Sequence, residues 1–349
     1  METKKLTKSD FDKDGNFLGS DEILSFNGNL EIDEKIGWVK FKFLKVSGYI
    51  LAKAGSGIKA GWGIEADLSI EAGWGIEAGL SIKAGSSIKA GSSIEAGSSI
   101  EAGYGIEAGL SIEADLSIKA GWGIEADWGI KAGSSIKAGL SIKAGSSIKA
   151  GLSIEAGYGI EAGLSIEAGW GIKAGSSIKA GYGIEAGYGI KAGLSIKAGW
   201  GIKAGWGIEA DLSIEAGWGI EADLSIEAGW GIEAGLSIKA GSSIKAGYGI
   251  KAGSSIKAGS SIEAGLRIEC KINLNIKLRI FAGLALWKVP TKEETQITCG
   301  KLEHGTVCFG ELNEVGLPEE KESENETVIK SGTVVKVTID GKDFEAVIK

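Results

Sequence analysis

Histidine and proline are almost missing from this chain. His304 stands alone, and Pro290 and Pro318 are the only prolines in 349 residues. A Ser-His-Asp triad or a histidine-based metal set lacks the imidazoles it needs. So few prolines, with no three-residue period, exclude collagen despite 58 glycines. Cysteine is scarce and odd in number: Cys270, Cys299 and Cys308. The polar opening METKKLTKSD has no signal-peptide character. Reduced thiols and a cytoplasmic location are therefore expected, with Cys299 and Cys308 close enough to pair only if oxidised. No stretch approaches the roughly 18 apolar residues of a membrane-spanning helix, so no membrane partner is expected. Neither charge sign dominates: 46 acidic and 38 basic residues interleave to a net charge of −8. That pattern has no basic stripe for nucleic acid, and its many lysines are wrong for an acidic DNA mimic.

What the chain has instead is one phrase. The unit A-[G/D]-x-[S/G]-I-[E/K] runs 36 times without interruption over residues 54–269, the one misfit being Arg267 in the fourth place of the last copy. Ala opens every copy and Ile holds every fifth place. The second place is Gly except at Asp67, Asp115, Asp127, Asp211 and Asp223, and the sixth is Glu 19 times and Lys 17 times. Six is not a whole number of 3.6-residue turns, so a helix would smear Ile over all faces; six is even and suits strands. Ile in, charge out, Ala in makes a short strand. Gly or Asp after it predicts a corner with left-handed backbone, since few other residues tolerate positive φ.

The third place carries 12 Leu, 10 Ser, 9 Trp and 5 Tyr. Exchanging Ser for Trp in a packed core costs about 1–5 kcal/mol, so this place is expected outside, at the corner. Each Trp or Tyr there is followed by Gly, whereas Leu and Ser are mostly followed by Ser. The fold predicted is all-β: a parallel β-solenoid with six-residue sides. Opposite charges fall three units apart in 22 of 33 pairs and four apart in 21 of 32, against 13 of 35 for adjacent units. Three or four sides per coil are therefore preferred.

The pattern resembles the hexapeptide-repeat parallel β-helix, which implies three sides and favours a left-handed coil. The departure is one of order. In that family a small residue stands two places before the aliphatic one; here the variable residue does, as Trp62 before Ile64, and Ala66 comes two after. The near-identical copies also resemble repeat proteins of bacteria and their mobile elements, a likeness that implies no particular activity. Acyltransferases of the hexapeptide family use a histidine in the solenoid, and this array has none.

The organisation expected is a polar segment over residues 1–25, an N-terminal β cap over 26–53, the solenoid over 54–287, a β-hairpin cap over 288–312 around His304-Gly305, an acidic linker over 313–327, and a second hairpin over 328–349 turning at Asp340-Gly341. The alternation from Trp38 to Val46 predicts one strand. Asp10, Asp12, Asp14, Gly15 and Asp21 approximate a calcium loop, but Asp21 stands where a Glu is usual and no flanking helix fits, so a solvated acidic turn is favoured and no metal is expected.

No catalytic residue and no cofactor is expected either. The candidate interaction surface is the set of third-place rings: Trp62, Trp74, Tyr104, Trp122, Trp128, Tyr158, Trp170, Tyr182, Tyr188, Trp200, Trp206, Trp218, Trp230 and Tyr248. Dealt in turn to three sides, they fall on all of them, so the competing expectation is that they are corner fillers. An ice-binding face would want threonine, which the array lacks. The expectation is a non-enzymatic rod, a spacer or a binding surface with a protein partner, the alternative being a mobile-element inhibitor that occupies a host protein's groove.

Overall fold

The computed structural model describes residues 1–19, 23–317, 334–339 and 342–347. Two compact units are present, residues 1–316 and 317–349. In the second, Val334–Ile339 pairs antiparallel with Lys342–Val347. The turn expected at Asp340-Gly341 and the acidic linker beyond residue 317 lie outside the described residues.

The first unit is a three-sided parallel β-solenoid. Within the array each strand pairs with the strand three units along, as Ile76 with Ile94, Ile82 with Ile100 and Ile88 with Ile106. Three units therefore make one coil. Face 1 carries the Ile58 and Ile76 series, face 2 the Ile64 and Ile82 series, and face 3 the Ile70 and Ile88 series. Ile stacks on Ile and Ala on Ala, and the repeat Ile side chains are no more than 1% exposed. Each such Ile contributes about 1.5–3 kcal/mol of burial before conformational entropy is set against it.

The corner has a different cause from the one expected. Of the second-place residues, only Gly55 has positive φ, and none of the five Asp does. Coil stacking favours Gly here, although the five Asp carry a Cβ at the same place. A Cβ added at the second-place glycines of residues 79–265 would lie 1.8–2.4 Å from the carbonyl oxygen of the residue one coil earlier. Gly187, for example, would strike the Gly169 oxygen at 2.1 Å. Fourth-place glycines of residues 105–249 are under no such demand: at Gly189 the nearest atom to an added Cβ is 3.6 Å away.

The solenoid extends past the array at both ends. Face 3 is part of a 17-stranded parallel sheet, about 77 Å from first to last rung at the usual strand spacing. It opens with Thr3–Leu6 paired to Asn29–Ile32, so part of the segment expected to be merely polar is already a rung. Residues 38–46 are not one strand. Gly37–Phe41 stacks on face 1 and Phe43–Val46 on face 2, with a bend at Lys42. The cap coils are slightly longer than those of the array, as shown by Val39 over Ile58 and Leu44 over Ile64. Phe11, Phe17 and Phe41 close the end with ring centroids 5.5–5.9 Å apart.

At the other end, Asn273–Ala282 runs as one strand across two faces. The last expected unit, residues 282–287, leaves the lattice at Gly283, where φ is +91°. The expected hairpin over 288–312 is also replaced. Gln296–Cys299 stacks in parallel on Ile268–Cys270, Lys301–Phe309 on Asn273–Ala282, and Glu311–Glu314 on Gln296–Cys299. These are further coils, because parallel partners already offer open backbone groups at that edge, and Gly300, Gly305 and Gly310 turn the chain between or along them.

Two glycines of one unit separate these roles. Gly187→Ala is expected to cost about 1–3 kcal/mol by forcing coils apart, and Gly189→Ala less than about 1 kcal/mol. Amide hydrogen exchange in the flanking coils reads the difference; equal protection loss would contradict the clash. Ile166→Asp, which buries an unpaired carboxylate, is expected to strip protection from whole neighbouring coils.

Candidate interaction surface

The corners place the third residue outside, except at Ser56, Ser176 and Leu266, which are buried. All fourteen candidate rings sit on the three solenoid edges, from Trp74 at 45% exposure to Trp128 at 67%, with Tyr248 partly covered. They are distributed over all three edges, as even dealing requires. What that dealing does not reveal is their arrangement along the axis. Rings one coil apart meet. On the edge before face 1, Tyr182, Trp200 and Trp218 stack at 5.2 and 4.7 Å with planes within 23° and 4°. Trp230 and Tyr248 stack at 4.7 Å on the edge before face 3, and Trp287, from the segment that leaves the lattice, joins them at 6.2–6.3 Å. Trp287 is not among the expected surface residues; nothing in its position within the hexad indicates the contact. Where rings stack, their faces cover each other and only edges meet solvent.

Two places depart from this: Tyr104 and Trp122, on the edge before face 3, meet edge-on at 5.6 Å and 63°, and a second turned ring stands on the edge before face 2. Tyr188 and Trp206 stack at 5.0 Å and 20°, but Trp170 is turned 87° to Tyr188. Beside this ladder runs a groove of about 750 Å³ along five coils of face 2. Its floor is the fourth-place column Ser153, Gly171, Gly189, Gly207 and Ser225; Leu152, Trp170 and Trp206 form one wall, and the sixth-place column from Glu155 to Glu227 the other. Three successive glycines, free of backbone demand, leave the floor bare. Two other hollows along the array are smaller, about 320 Å³ beside Trp230 and Tyr248 and about 340 Å³ around Gly105 and Gly123.

Sixth-place charges form a lattice. Within the array, thirteen ion pairs join Lys and Glu one coil apart, among them Lys191–Glu209 at 2.7 Å and Lys137–Glu155 at 3.1 Å. Hydrogen bonding to their carboxylate partners holds Lys131, Lys143, Lys191 and Lys239 above the usual ammonium range. These groups are exposed, so each pair adds little stability.

The acidic loop directs its oxygens at its own chain. Asp10 accepts from the Thr7 N–H at 2.7 Å and the Thr7 hydroxyl at 3.1 Å. Asp12 accepts from the Asp14 N–H, the Asn16 N–H and the Asn16 side-chain amide at 2.8–2.9 Å, and the Asn16 amide most of all holds its carboxyl below the usual range. Asp21 lies outside the described residues. Among those described, no group of three His, Cys, Asp or Glu is arranged to hold a metal. His304 lies within the strand Lys301–Phe309, exposed. The cysteines are redistributed relative to expectation. Cys308 is exposed, while Cys270 and Cys299 occupy the alanine column of adjacent rungs on face 3, next to the aligned pair Glu269 and Thr298. Burial pushes the Cys270 thiol up to about 12 and the Cys299 thiol to about 11.

Comparisons with protein-family models, with curated proteins and with solved structures returned no match. No helix is long and apolar enough to cross a membrane among the described residues.

Only Cys308 is expected to react with a thiol reagent near pH 8 in the native state, and all three cysteines after denaturation. Both buried thiols hold their protons in the folded state above their ordinary value of 9.0. The unfolded chain thus binds fewer protons between about pH 9 and 12, and stability falls as pH rises through that window. Chemical denaturation at pH 8 and 10.5 measures the loss, which Cys270→Ala should reduce.

Proposed function

We propose that this chain is a non-enzymatic interaction rod. The observation that supports it is the division of labour within each unit. The first, second and fifth places make a coil that stacks identically on any other, so copy number sets length. The third, fourth and sixth places vary without touching the core, so each stretch of rod displays its own rings, bare floors and charges. A stiff shaft with a position-specific surface suits a protein that holds partners at set points along a line. Recognition of a protein partner would draw on the edges, where large rings are exposed at low entropic cost.

Two deletions test this. Removing three consecutive units takes out one coil and leaves every downstream residue on its face. Removing a single unit preserves the repeat but rotates everything downstream by one face, replacing ring stacks and ion pairs while keeping Ile on Ile. Both variants are expected to fold, with the first shortening the maximum dimension in small-angle X-ray scattering by about 4.8 Å. Proteins captured on the rod should survive the one-coil deletion when it lies outside their contact stretch and be lost on the one-unit deletion placed within it. Identical capture by both variants would leave length alone as the function and reduce the rod to a spacer.

A further inference from the structure

We infer that the face 2 groove beside Trp170 is a binding site for an acidic oligosaccharide. Two ladders of nearly the same composition stand at the same level of the rod. Tyr182, Trp200 and Trp218 are stacked face to face throughout. In the other ladder Trp170 is turned, standing at 87° to Tyr188 and keeping out of the flat stack that Tyr188 makes with Trp206. It is 58% exposed and lines the groove. An aromatic face unused by its own ladder, over a floor of glycine backbone, fits a flat ligand whose C–H groups meet the negative π-face.

The floor rules out one kind of occupant. Its backbone groups are engaged coil to coil, as Gly171 and Ile172 pair with Gly189 and Ile190, so a peptide cannot add as a strand there. Recognition must come from side chains. The opposite wall carries both acceptors and donors, which suits a ligand rimmed with hydroxyls. Its charges decide the sign. Glu155 is engaged by Lys137, Lys191 by Glu209 and Glu227 by Lys245. Lys173 stands between Glu155 and Lys191 in the column and takes part in no ion pair or hydrogen bond among the described residues. With Glu155 already engaged, the uncompensated charge beside the turned ring is positive, and it calls for a carboxylate. A sugar ring with an apolar face, hydroxyls and a carboxylate is a uronate. Five coils give a run of about 19 Å, room for a short chain.

The inference builds on the rod reading but is tested apart from it. The full chain is titrated calorimetrically with oligomers of galacturonate, mannuronate and guluronate, and with a neutral glucose oligomer. Binding of at least one uronate oligomer, weaker for the neutral chain and weakened by salt, is expected. Trp170→Ala should lower affinity at least tenfold, Lys173→Gln several-fold for the uronate alone, and Trp218→Ala not at all. Absence of binding by every uronate oligomer, equal affinity for the neutral chain, or an unchanged Trp170→Ala would overturn the assignment. Scattering and circular dichroism on the same samples report the rod itself, so loss of sugar binding with the fold intact rejects the groove and leaves the rod.

Discussion

The coil-to-coil hydrogen-bond ladder is the constraint on which everything else depends. Strands of the array pair only with strands one coil away, so each coil must repeat the path of the one beneath it to within the few tenths of an ångström a hydrogen bond allows. Ile at every fifth place fills the interior identically each time. At all but five second places, glycine leaves out the Cβ that would press on the carbonyl one coil back; the five Asp carry it and still stack in register. Once those conditions are met, nothing in the core distinguishes one unit from another.

That uniformity is what frees the surface. A third-place ring has no interior to disturb, and in-register stacking brings it to its neighbour at ring-stacking distance. The sixth place likewise meets its counterpart one coil away, where opposite charges settle into pairs. Like-charged lysine contacts, such as Lys119 over Lys137 and Lys179 over Lys197, show that the core and not the charge lattice fixes register. The groove beside Trp170 arises from the same freedom: three bare glycines in succession, a run that face 1 shares at Gly183, Gly201 and Gly219, and one ring out of line with its ladder.

Much of the fold is legible in the residues alone. Period six and the Ile-charge-Ala alternation lead to a solenoid, and the charge count leans toward three or four sides. The third place belongs outside because Ser and Trp alternate there. The corner is harder, because Gly and Asp together point to left-handed backbone, whereas contact with a carbonyl one coil back is a property of stacking that no single unit contains. Residues 296–314 carry hairpin-like turns, and only the open edge of the preceding coils makes them continue the spiral. The ring ladders are legible once the coil length is used as the spacing, as in Tyr182, Trp200 and Trp218. The tilt of Trp170 is not, since its neighbours in sequence match those of rings that stack flat.

The direction of the hydrogen bonds gives the rod a mechanical character. They lie along its long axis, so tension applied between the two ends loads the coils in series rather than all together. The weakest terminal rung yields first and hands the force to the next. Each coil that opens releases roughly 60 Å of contour length at nearly the same resistance as the one before it, because their interiors are the same. Under pull the solenoid is expected to let out chain one coil at a time, at nearly constant force across the array.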